Sequence, residues 1–126
     1  FARITEASKL GFSLEAITLI ESLLSDRIES RLSFIGGNEF SFKTLEKLVK
    51  KTRELEKDAT LRTLVATEVK IWARKRNRAL HEMAKIESGD TSSWSERYLQ
   101  LEPVVDSGVK LLRKIDRQVN KLKRST

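Results

Sequence analysis

A chain of 126 residues with 39% hydrophobic and 34% charged residues is long enough to bury a core and reads as one domain, 1–126. No cysteine and one histidine exclude disulfides and thiolate metal sites and argue against zinc, and no cofactor or metal is expected. No apolar run approaches the roughly 20 residues of a membrane span, so no membrane partner is expected. The first residue is Phe1, which reads as a trimmed start, and with no secretory signal in view a cytoplasmic location is expected.

The net charge is +7, unevenly spread. Residues 108–126 hold seven basic residues and one acid, Asp116, and Lys70–Arg78 hold five basic residues and no acid. Residues 1–30 hold three basic residues and five acids. Such basic clusters favour polyanions, of which nucleic acid is the commonest in a cell.

In chain order the sequence predicts four or five helices. A short first helix spans about Arg3 to Leu10 and stops at Gly11. Ser13 is a candidate N-cap for a second helix reaching about Phe34, which Gly36-Gly37 ends. Leu14, Ile17, Glu21, Leu24, Ile28, Arg31 and Ile35 recur along it at three- and four-residue steps. Asn38–Ser41 reads as a loop, with Ser41 capping a third helix to about Lys57. Its apolar positions are Phe42, Leu45, Leu48, Val49, Thr52 and Leu55. Lys43, Lys47, Lys50 and Lys51 alternate with Glu46, Glu54 and Glu56, as a solvated helix face would.

A fourth helix runs from near Ala59 to about Glu87, before Ser88-Gly89-Asp90. Ser93 and Glu96 have capping-box spacing and open the last helical region. Pro103 and Gly108 within it predict a kink or a break. The stripe Val109, Leu112, Ile115, Val119, Leu122 makes its C-terminal part a packed helix with a basic outer face. The expected architecture is all-α, an up-and-down bundle with short loops.

At about 100° per residue, Val65, Val69, Trp72, Ala73, Leu80 and Met83 share one arc of the fourth helix. Arg76 falls near its middle. Asn77 and His81 share a line at its edge, while Arg74, Lys75, Arg78 and Lys85 face outward. A buried guanidinium costs several kcal/mol unless paired, and Glu21, at an apolar position of the second helix, is its expected partner. Trp72, one turn before Arg76, reads as a core aromatic, with base stacking the alternative. Met83 reads as core, and Trp94 as a packing residue at helix entry.

Arginine is suited to hold phosphate oxygens, and histidine can move protons near neutral pH. Together they suit metal-free cleavage of a phosphodiester, which needs a base, an acid and positive charge. One of each per chain is few, so two chains meeting across the fourth helix would complete a site. Arg76-Asn77-x-x-x-His81 resembles the R-x4–6-H motif of the HEPN superfamily; Arg74 also stands within that spacing. Glu6-Ala7-x-x-Leu10, Ala16-Ile17 and Glu21-x-Leu23-Leu24 are similar to the superfamily's N-terminal helices.

The resemblance implies a HEPN-like bundle of four or five helices and a metal-independent endoribonuclease of toxin or phage-defence type, acting on RNA as a homodimer. It implies catalytic Arg76 and His81, with Asn77 shaping the site and Glu21 as supporting acid. Lys70, Arg74 and Arg78 would bind nucleic acid. An antitoxin is a possible partner, although Met83 stands where toxins modified by a nucleotidyltransferase carry tyrosine. The alternative is a catalytically silent module for nucleic-acid binding, dimerisation or toxin–antitoxin assembly.

Overall fold

The structure, a computed structural model, describes residues 13–36, 44–87 and 94–125, of which 82–87 and 94–100 by their backbone alone. Every regular element among the described residues is helical. The expected helix at Arg3–Leu10, the Asn38–Ser41 loop and the Ser93–Glu96 capping pair fall outside them, as do the side chains of Met83, Lys85, Trp94 and Tyr98.

α1 spans Ser13–Gly36. It buries Ala16, Ile17, Ile20, Leu24, Ile28 and Leu32, the three- and four-residue rhythm of one helical face. α2 spans Leu45–Leu55. Its cap is Thr44, whose hydroxyl accepts from the Lys47 N–H at 3.3 Å, in place of the expected Ser41. α2 also stops short of Lys57. Glu56 turns to extended backbone (φ −76°, ψ 123°) because its carboxylate is drawn into the core toward Arg31.

α3 opens at Ala59 and continues through three consecutive segments, Ala59–Thr63, Leu64–Val69 and Lys70–Glu87. The middle segment is π-helical, which periodicity reads as ordinary α-helix. Its wider i→i+5 turn adjusts the phase. Leu61, Leu64, Val65, Val69, Trp72, Ala73 and Arg76 all face inward. Asp58 caps α3, its carboxylate accepting from the Leu61 N–H at 2.9 Å and from Gln118 Nε2 at 2.9 Å. Asp58→Ala is expected to lower unfolding free energy by about 1–2 kcal/mol, with Asp58→Asn losing less, as measured by urea denaturation.

α4 spans Trp94–Arg124 and carries Pro103 without breaking there. Its buried face includes Leu101, Val104, Val105, Leu111, Leu112 and Ile115. Gly108 is a point of contact: a Cβ built there would lie 2.7 Å from Trp72 Nε1 and 2.9 Å from Ile20 Cγ2.

The all-α expectation holds, but the up-and-down order does not. Glu21 and Glu46 meet Arg76 at one level, and ten residues further along both segments Arg31 meets Glu56. α1 and α2 therefore run the same way. α4 runs with them, since Ile20 abuts Gly108 and Arg27 bonds Asp116. α3 alone is reversed, pairing Trp72 with Val104, Glu68 with Lys114 and Asp58 with Gln118. Short connections favour antiparallel neighbours.

Candidate nucleic-acid interface

The inward face of α3 brings Arg76 between α1 and α2, where the residue is 6% exposed. Glu21 of α1 meets it as expected, Oε1 lying 2.5 Å from Nη1. That approach is a charge contact and not an aligned hydrogen bond, since Nη1 has no hydrogen-bond acceptor among the described residues. The Asn77 Oδ1 accepts from Nε at 3.1 Å and from Nη2 at 2.9 Å. Nη2 also donates to Glu46 Oε1 at 3.1 Å. The Trp72 ring centroid lies 5.8 Å from the guanidinium carbon, completing the enclosure with a cation–π contact.

Glu46 corrects the reading of α2 as carrying only solvated charges. It is 60% exposed, yet one oxygen reaches the buried arginine because parallel α1 and α2 bring their acids to the same end. Glu56 departs further from that reading, at 3% exposed. Arg31 Nε donates to its Oε1 at 2.7 Å and Nη2 to its Oε2 at 3.1 Å. The hydrogen bond that Arg31 donates to Glu56 is the main reason its pKa lies above the ordinary value. Arg31 occupies an apolar-stripe position just as Glu21 does, so the sequence held the signal for a buried partner. Its identity depended on where α2 ends.

Trp72 is buried and donates from Nε1 to the Val104 carbonyl at 2.9 Å, a structural role that leaves no ring face for a base. Leu80, expected on the buried arc, is 40% exposed. α2 begins level with Arg76, so one turn further on Leu80 meets no α2 side chain.

His81 is exposed. Helix geometry sets it about 140° around α3 from Arg76 and about 7.5 Å along the axis. Two turns separate it from Arg74, to within about 20° of the same direction, and Arg78 is its i−3 neighbour. The histidine thus shares the outer face with Arg74 and Arg78, while the arginine of the Arg76–His81 motif turns into the core.

Lys70, Arg74 and Arg78 stand at four-residue steps on that outer face, all exposed. Lys70 and Arg74 line one bank of a groove of about 300 Å³ between α2 and α3, and Lys50 and Arg53 line the other. Among the described residues none of these five cations has an ion-pair partner. The outer face of α4 adds exposed Lys110, Arg117, Lys121 and Arg124, while Lys114 is paired with Glu68 at 3.1 Å. Among the described residues no three of His, Cys, Asp or Glu cluster as a metal ion would require. No described helix is long and apolar enough to cross a membrane.

No family model, no curated protein and no solved structure matches the chain.

Proposed function

We propose that this chain is an RNA-binding helical module that takes the phosphate backbone on the outer face of α3, with Arg76 serving structure. The observation that carries this reading is the unpaired stripe Lys70–Arg74–Arg78, set beside an Arg76 whose fork is enclosed by Glu21, Glu46 and Asn77. Neutralising phosphates with exposed cations supplies sequence-independent, salt-dependent affinity. Binding of a fluorescent single-stranded RNA, followed by anisotropy from 50 to 200 mM salt, tests it. Replacing Lys70, Arg74 and Arg78 together by glutamine should weaken binding and flatten the log–log salt slope by about 2, at roughly 0.7 per contacted phosphate. Unchanged binding in that variant would remove the stripe from the interface.

A second reading has one observation in its favour: His81 is exposed in line with Arg74. In that reading the protein is a HEPN-type, metal-independent endoribonuclease in which two chains join their α3 outer faces. His81 would transfer the proton, and Arg74, itself within the R-x4–6-H spacing, would hold the phosphate in place of Arg76. Cleavage of RNA in EDTA to 2′,3′-cyclic phosphate ends, lost in His81→Ala and Arg74→Ala, supports it. Intact RNA after incubation with the wild-type chain, or cleavage that persists in His81→Ala, rejects it.

A further inference from the structure

The α2–α3 groove has a chemistry that a phosphate backbone does not use. Its floor is aliphatic, formed by the narrow exposed edges of the core residues Leu45, Val49 and Ala73. Its two banks are cationic, Lys50 and Arg53 on α2 facing Lys70 and Arg74 on α3. One acid, Glu46, sits at the end where its carboxylate is already held by Arg76. Among the described residues no aromatic side chain lines the groove, and so none of them offers a platform on which a base could stack.

From Leu45 to Arg53 the groove runs about 12 Å, the length of roughly two helical turns. Its volume of about 300 Å³ is at the lower end of small-ligand pockets. An apolar strip between two rows of like charge is the complement of a helix with an aliphatic seam and carboxylates on both flanks. The seam would fill the floor through side chains three or four residues apart, as in other helix-in-groove contacts. The flanking acids would face the unpaired cations and set orientation and association rate.

We propose that the α2–α3 groove docks an acidic amphipathic helix of a protein partner. The docking stands on the groove alone. Where the RNA reading also holds, the helix covers Lys70 and Arg74 and displaces RNA from them.

The test uses a fluorescent synthetic helix with a leucine seam flanked by glutamates, and a second peptide of equal charge whose seam leucines are serine. At near-physiological salt the leucine peptide should bind at least ten-fold more tightly than the serine peptide. The double variant Arg53→Glu/Lys70→Glu should weaken it by a further ten-fold or more. Both sites are exposed, and circular dichroism will confirm that this variant remains folded. Amide shifts on binding should concentrate on α2 and the facing part of α3. Equal affinity for the two peptides would overturn the proposal and leave a merely anionic occupant such as RNA. Failure to bind either peptide, or indifference to the charge reversal, would overturn it as well.

Discussion

Glu56→Ala should be the most damaging single substitution among the polar residues described, costing about 3–5 kcal/mol. The Glu56 side chain is 2% exposed and receives both arms of the Arg31 fork. The same carboxylate accepts from the Asp58 N–H at 3.3 Å, so it also fixes the turn that leads into the α3 cap. Its backbone carbonyl accepts from Arg62 Nη1 at 3.3 Å. Removing the acid strands a largely buried guanidinium and loosens the α2–α3 turn in one step. Thermal unfolding should fall on the order of 10–20 °C for a chain of this size. Glu56→Gln should cost less, because one hydrogen bond survives.

Replacing both partners with apolar residues, Arg31→Met with Glu56→Leu, should recover most of the loss, since a matched apolar pair carries no desolvation cost. A double variant as unstable as Glu56→Ala would show that the turn, and not the stranded charge, is the main term. The pH dependence follows from the raised Arg31 pKa. The stabilisation is complete below the ordinary arginine value and is lost only as pH rises through the still higher folded value. Titration of Arg31 therefore contributes no change in stability between about pH 5 and 9.

Gly108→Ala is the second large effect, and its sign is opposite to the usual one. Alanine in a helix ordinarily gains about 0.5–1 kcal/mol over glycine. Here the added methyl would stand 2.7 Å from Trp72 Nε1, 2.9 Å from Ile20 Cγ2 and 3.1 Å from Ile20 Cδ1. Neither neighbour is the loose end of a flexible chain. Ile20 is fully buried, and Trp72 is held by its bond to the Val104 carbonyl. The helix axes must separate or the indole must turn and lose that bond. A net loss of about 1–3 kcal/mol is expected, larger for Gly108→Val. Denaturant titration measures it. Ile20→Ala empties a fully buried site and itself costs about 2–5 kcal/mol. Paired with Gly108→Ala, the loss should be smaller than the sum of the two single losses, because the methyl takes up the freed space. A gain in Gly108→Ala alone would refute the close approach.

The parts of this architecture that were legible in the sequence are the local ones. Helical periodicity located the inward face of α3 and part of those of α1 and α4, because a residue's phase depends only on its neighbours a few positions away: Ile17, Leu24, Ile28, Leu112 and Ile115 are buried as their spacing implied, while Ala16, Ile20, Leu32 and Leu111 lie off the expected stripes. It also marked Arg76 and Glu21 as charges in apolar positions, and they meet. Arg31 carried the same mark, but its partner Glu56 looked like one more exposed acid until the end of α2 was known. The π-helical stretch at Leu64–Val69 left no trace in periodicity, since its wider turn resembles a small drift in an ordinary helix. Pro103 looked like a breaker, yet the helix passes through it.

Composition and periodicity by themselves determined that this is a basic all-α chain, with one arginine buried where a leucine would serve. Tertiary structure decided that α2 lies parallel to α1. That single choice of direction adds Glu46 to the enclosure of Arg76 and places Arg31 against Glu56. It also opposes the cations of α2 to those of α3 across one apolar floor. The physical reason is that a helix's faces are set by its own sequence. The charge or groove that a face meets depends on the direction of its neighbour, which a connection of seven residues leaves open.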